Sequence, residues 1–244
     1  MGSITNTVAS IGIALISMLS PNNTNEVIPQ EQNNTIIEVV DVYDSGEEIE
    51  LDEQIDITEE RIKVDPVATS KESTMPYYVK VNIAQNVVNV YGKDESGDYS
   101  IFEKVMLCST GKSTPKAGKK YKLTSYRVTW NKLIGGVYGQ YAVQINGNIL
   151  FHSVPYSKKN KSALEYEEYD KLGQSASLGC IRLCVADAKW VYDNVWAGTT
   201  VEFYEDDNPG PGGKPELAPI SDNLDCRNWD PTDYTDGNPW HIAE

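Results

Sequence analysis

Histidine is nearly absent from this 244-residue chain, which has two, alongside three phenylalanines and four cysteines. Two histidines and four scattered cysteines do not make the paired ligand spacings of a zinc site, so no metal is expected. No glycine-rich phosphate loop or dinucleotide fingerprint occurs, and no basic surface interleaved with aromatics; neither a cofactor nor a nucleic-acid partner is expected. Basic residues are also scarce, 21 against 36 acidic ones, for a formal net charge of −15. That deficit is local. Residues 26 to 75 carry 15 acidic and 3 basic side chains and residues 206 to 244 carry 9 and 2, whereas residues 76 to 205 carry 12 and 16. The acidity belongs to the flanks of a mildly basic middle.

The flanks set the domain boundaries. Residues 1–20 contain the apolar run Val8–Leu19, of a length that suits a signal-peptide core but is short for a membrane span, and no lysine or arginine precedes it. We read it as a signal- or anchor-like leader that points to an extracytoplasmic protein, secreted or held at the membrane or cell wall. Residues 21–75, acidic, rich in Asn and Thr and nearly free of aromatics, cannot bury enough apolar surface to offset their ordering entropy and read as a disordered linker. Residues 76–205 form the folded domain. Residues 206–244 are an acidic Pro/Gly-rich tail with two readings: disordered, or docked on the basic domain through Trp229 and Trp240, with Cys226 available to lock it.

Within 76–205 the pattern is mainly β. Val79, Val81 and Ile83 alternate with polar residues, and Val87–Tyr91 resumes after Gln85-Asn86, which predicts a hairpin. Further strands are expected over 99–108, 121–129, 140–146, 148–153 and 200–204, with Asn146-Gly147-Asn148 as a tight connector. Two short helices are expected. Ser162 with Glu165 forms a capping box for a helix over 163–172 that ends at Gly173. Val185, Ala188, Val191 or Tyr192, and Val195 make one stripe over 185–196.

The chemistry centres on SLGCIRL at 177–183. Cys180 stands between a glycine and Ile181-Arg182 rather than inside an apolar run, which suits a reactive thiol. A thiol attacks a carbonyl as thiolate and needs a base or positive field to reach that state. His241 lies in the tail, where fixed geometry is not expected, so His152, closing a predicted strand in ILFHSVP, is the candidate base. Backbone N–H groups around Leu178, Gly179 and Cys180 are placed to meet an oxyanion, with Tyr138 or Tyr141 as a side-chain donor. Arg182 has two readings, a contact for a substrate carboxylate or an ion pair beneath the nucleophile loop. The lysines from Lys112 to Lys132, together with Arg127, make either a cleft wall or a solvated hairpin. Trp130, Trp190 and Trp196 read as core or rim aromatics. Cys184 reads as a packed thiol or a disulfide partner of Cys108 or Cys226.

FHSVPYS at 151–157, SLGCIRL at 177–183 and CSTGKSTPKAG at 108–118 together resemble the catalytic domain family of bacterial L,D-transpeptidases, over roughly 76–205. The resemblance implies a β-sandwich-like domain acting on peptidoglycan stem peptides. In that family a cysteine attacks the carbonyl of the third stem residue, expels the terminal D-alanine, and passes the acyl group to an amine. Carried onto this chain, it implies Cys180 as nucleophile, His152 as base and Ser153 as the residue orienting the imidazole; beside it, the residues themselves offer Ser177, Gly179, Arg182 and Tyr138 as candidate substrate and oxyanion contacts. The family often has histidine where this chain has Leu178. The 28-residue interval from His152 to Cys180 holds the predicted helix, which would stand beside the site as a lid or acceptor wall. An L,D-carboxypeptidase uses the same acyl-enzyme and gives it to water. A non-catalytic wall-binding protein is the remaining alternative, disfavoured by the intact Cys180 and His152.

Overall fold

A computed structural model describes residues 61–69 and 73–242. The leader and most of the acidic linker lie outside the described residues. Val79, Val81, Val88 and Val90 are all almost completely buried, because strands β1 (Tyr77–Asn82) and β2 (Val87–Lys93) pair antiparallel as the alternation predicted. Asn86 closes their turn with φ 54, a left-handed conformation that asparagine tolerates. β3 (Tyr99–Leu107) pairs with β2, β9 (Thr200–Tyr204) runs parallel to β1, and β4 (Lys120–Lys122) covers the far edge of β9. This gives a five-stranded sheet in the order β3-β2-β1-β9-β4.

A second sheet has the order β5-β6-β7-β8, from β5 (Arg127–Lys132), β6 (Tyr138–Asn146), β7 (Ile149–Ser153) and β8 (Ile181–Leu183). Residues 121–129 are therefore not one strand. Their two ends belong to different sheets, and the chain crosses between them at Leu123–Tyr126. The main core joins Val79, Val81, Val90, Val143, Phe151, Ile181, Leu183 and Phe203 with Ala188 and Val191 of α2 (Val185–Asn194). Each such side chain contributes roughly 1.5–3 kcal/mol on burial. The mainly β, two-sheet domain with few helices is the architecture the sequence implied.

The first predicted helix shrinks to one turn, α1 (Tyr166–Tyr169), with no side-chain cap. The capping box does not form because Asn160 Oδ1 accepts from both the N–H and the hydroxyl of Ser162, 3.0 Å each, and Leu164 is held extended against Tyr156. Residues 61–69, expected within the linker, run along β3, where Val64, Val67 and Ala68 pack near Tyr78, Tyr91 and Tyr99. The tail is docked: Ile220 is buried with Leu164, Tyr169 and Leu172, and Trp240 packs on the same cluster. Its Asp230 Oδ2 accepts from the Val185 N–H at 2.9 Å, and Thr232 Oγ1 accepts from Ala186 N–H at 3.0 Å. The tail thus caps α2, whose own cap residue, Cys184, makes no side-chain cap bond. All four cysteines are free thiols, so no disulfide locks the tail.

Candidate active site

β7 and β8 run parallel, with His152 opposite Arg182 and Phe151 opposite Ile181. This register brings the end of the FHS strand beside the nucleophile loop and opens a cavity of about 320 Å³ lined by His152, Cys180, Arg182, Leu178, Lys132 and Ile134, among others. Of the basic residues between Lys112 and Lys132, only Lys132 lines it among the described residues. Arg127 instead binds the carbonyls of Tyr192 and Val195 at the end of α2, under the exposed Trp196.

The nucleophile loop rests on a cradle made by residues 108–114. Ser109 and Arg182 exchange backbone hydrogen bonds of 2.9 and 3.0 Å, Ser113 N–H donates to Leu178 O at 3.1 Å, and Thr114 Oγ1 donates to Gly179 O at 2.8 Å. Ala176 and Ser177 N–H both donate to Thr110 O at 2.9 Å. Gly111 passes so close that a Cβ there would lie 1.9 Å from Ser177 O. Only glycine allows this approach. Thr110, Gly111 and Thr114 had no assigned role in the sequence reading. Their signal was a hydroxyl- and glycine-rich stretch directly after a buried strand end.

His152 is almost wholly buried, and its Nδ1 lies 2.6 Å from Ser153 O. A carbonyl only accepts, so Nδ1 carries the proton and Nε2 keeps its lone pair. Ser153 therefore fixes the imidazole, but through its main chain. Its hydroxyl accepts from Gln140 N–H at 2.8 Å and donates to Val154 O at 2.9 Å. A Cβ on Gly139 would stand 2.8 Å from Nδ1, so the ring's seat depends on that second glycine as well. Burial pushes the imidazole down to about 4, with Arg182 adding to the fall and the Ser153 carbonyl opposing it.

Cys180 is half-buried, and its thiol donates to Asn148 O at 3.4 Å. Burial raises its pKa, against the pull of the Leu150 N–H and the Arg182 charge. The two groups line one cavity as neutral thiol and neutral imidazole.

Other expected site residues move. Ser177 Oγ donates to Cys180 O at 2.6 Å and accepts from Gly179 N–H at 3.0 Å. Those two groups staple the loop, and Gly179 N–H is not available to an oxyanion. The N–H of Cys180 has no protein partner among the described residues. Tyr138 does not line the cavity; it packs with the Tyr156 cluster, and Tyr141, at φ 53, sits beside Tyr192. The left-handed Tyr141 breaks the alternation of β6, and the tyrosine that reaches the cavity is Tyr126. Among the residues of the 156–172 segment none lines the cavity, so the expected lid is not there. The overhang comes from the β5–β6 connection, Leu133 to Val137, and from the exposed Leu178. Arg182 pairs with Glu168, which the sequence reading did not single out.

A family model, YkuD, the L,D-transpeptidase catalytic domain, matches residues 76–203. A protein of Bacillus subtilis (strain 168) whose name, L,D-transpeptidase YciB, is provisional is 52% identical over 56 residues, 23% of this chain and 28% of that protein. Among solved structures, an L,D-transpeptidase from Mycobacterium smegmatis is 18% identical with a TM-score of 0.41, covering 52% of this chain and 58% of its own. An L,D-transpeptidase from Mycobacterium tuberculosis H37Rv is 24% identical at 0.39, covering 53% and 58%. The chain thus spans less than a third of the curated relative and little over half of these structures. The weight rests on the family model, which covers more than half of the chain and includes both His152 and Cys180: the chain belongs to the L,D-transpeptidase catalytic domain family.

Proposed function

We propose that this protein is a cysteine-dependent L,D-transpeptidase that acts outside the cytoplasm on peptidoglycan tetrapeptide stems. Cys180 is the nucleophile. His152 Nε2 takes its proton as sulfur bonds to the carbonyl carbon of the third stem residue, and the Cys180 N–H meets the oxyanion. Collapse of that intermediate expels the terminal D-alanine, which leaves with the proton from His152. An amine from a neighbouring stem then attacks the thioester, and its proton passes to His152 as the thiolate leaves and is reprotonated. The single observation that carries this reading is that Cys180, in the loop entering β8, and His152, on the paired strand β7, line one cavity in a domain of this family.

Transfer rather than hydrolysis is supported by the apolar side chains of Leu133, Ile134, Val137 and Leu178 along the cavity, beside which an amine competes with water for the thioester. Purified protein incubated with disaccharide-tetrapeptide should give cross-linked dimers with loss of one D-alanine per donor, read by mass spectrometry. Tripeptide alone at high acceptor concentration would make the protein an L,D-carboxypeptidase. A carbapenem should add one equivalent to the peptide containing Cys180; labelling at Cys184 instead would overturn the nucleophile assignment. Anchoring through the leader falls outside the described residues, and among those described no helix is long and apolar enough to cross a membrane.

A further inference from the structure

Arg182, in the cavity wall, pairs with one side chain of the segment that the tail covers. Glu168, in the single turn of α1, divides its carboxylate: Oε1 lies 2.5 Å from Lys171 Nζ and Oε2 pairs with Arg182 Nη1. Burial acts to raise its pKa, but the bonds from Lys171 and Arg182 hold it below the usual value, so the pair is ionic. Arg182 lines the cavity beside Cys180, and its buried Nε has no acceptor among the described residues. A buried donor without a partner is costly, and native proteins retain few of them. A guanidinium held on one side by Glu168 keeps donors for a second, planar anion, and a carboxylate has the matching geometry.

The local support of Glu168 is its i,i+3 pair with Lys171. A four-residue turn without a side-chain cap is not stable alone. Gly173 N–H donates to Cys108 O at 2.9 Å and Ser109 Oγ to Lys171 O at 2.9 Å, which ties the turn's exit to the cradle. The tail supplies the rest. Ile220 and Ser221 N–H donate to the two oxygens of Asp170 at 2.7 and 3.2 Å, Lys214 Nζ donates to Gly173 O at 3.1 Å, and the Arg227 guanidinium lies 4.3 Å from the Tyr166 ring centre. This tail begins beyond the 76–203 region that the family model covers.

We infer that Glu168 is a positioning residue for Arg182, that Arg182 so held binds a carboxylate of the acidic peptide substrate, and that residues 214–227 are the strap that holds Glu168 in place. The inference rests on the stem-peptide reading above. It differs from that reading in what it demands, because it concerns recognition of a charge and not the acyl step.

The test uses the full chain in a Cys180→Ala background, so that binding is read without turnover. Calorimetry compares a disaccharide-tetrapeptide carrying free carboxylates with its carboxamide analogue. Glu168→Gln should weaken the free acid about tenfold and leave the carboxamide within about twofold, since one charge-assisted contact is lost from one ligand only. Asp170→Asn, which loosens the strap without touching Arg182, should move the acid in the same direction by about threefold. Glu168→Asp should restore part of the preference. With Cys180 present, alkylation of the Cys180 peptide by iodoacetamide should stay within about twofold in every variant, and turnover of the acid should show raised KM with kcat held. Equal losses on both peptides would reduce Glu168 to a structural role, and no loss on either would remove it; both overturn the inference and leave the stem-peptide reading standing. Parent protein that binds neither peptide overturns both.

Discussion

The cradle under the nucleophile and the strap over α1 hold their segments by different means. Residues 108–114 grip 176–182 through main-chain bonds and the Thr114 hydroxyl, around glycines that admit close contact. The strap and the tail beyond it work mainly through charged side chains: Asp170 accepts from the Ile220 and Ser221 N–H groups, Asp230 accepts from the Val185 N–H, and Lys161 pairs with Asp233. A cradle built from sheet register has no group to titrate, whereas a strap built from carboxylates does. The position of the thiol is therefore insulated from pH and salt, and the position of the surrounding wall is not.

Removing the sulfur separates the two most sharply. Cys180→Ala should abolish product formation, by at least about 10⁴-fold, while the melting temperature stays close to that of the parent. A retained rate would mean that another group is the nucleophile.

His152→Gln comes next, with a loss of about 10²–10⁴ in kcat/KM. In the parent protein the acid limb of the rate profile should fall near pH 4 rather than near an ordinary imidazole value, because burial holds His152 neutral to about 4. A limb near 6.5 would contradict the buried seat. The depressed pKa also sets a stability window. Folding is at full strength above the unfolded imidazole pKa near 6.5, and stability is lost as pH falls through about 4, by up to about 3 kcal/mol.

Gly111→Ala attacks the cradle alone. Its Cβ would overlap Ser177 O, and displacement of the loop should cost about 1–3 kcal/mol of stability. It should lower activity about 100-fold, through misplacement of the thiol. Wild-type alkylation of Cys180 in this variant would show that the cradle does not set the site.

Asp230→Ala attacks the strap and should have the smallest effect on chemistry. It strips the acceptor from the Val185 N–H and from Thr232, for about 1–3 kcal/mol, with iodoacetamide reactivity of Cys180 unchanged. Burial raises Asp230 to about 6, opposed by its bonds from Thr232 and Val185. Its protonation therefore favours the fold fully below the ordinary carboxylate value near 3.8, and that contribution is lost as pH rises through about 6. The sign is opposite to that of His152. Denaturant titrations between pH 4 and 6.5 should show His152→Gln gaining stability on acidification relative to the parent and Asp230→Ala losing it. Parallel slopes for the two variants would refute the comparison.

The parts of the protein that were legible in one dimension are those whose signal is local. Alternating Val79, Val81, Val88 and Val90 announce a hairpin because strand period is a property of neighbours in sequence. Cys180 and His152 stand out because a reactive thiol in a glycine loop and a histidine ending a strand are unusual on their own. What failed were assignments in which a nearby group takes the expected hydrogen bond. Ser162 looked like a helix cap, yet Asn160 takes its hydroxyl; Gly179 looked like an oxyanion donor, yet Ser177 takes its N–H. Tyr138 stands outside the site because it pairs and packs with Tyr156. Of the two readings of Arg182 the ion pair is present, with Glu168, a partner 14 residues away in sequence that the fold brings to it. A hydrogen bond goes to whichever group the packed chain brings within about 3 Å, and sheet register and docking set that distance, not spacing along the sequence. The sequence by itself therefore determined the candidate pair, Cys180 and His152, and the β-rich domain that carries it. The tertiary structure decided which groups are left free to meet a substrate.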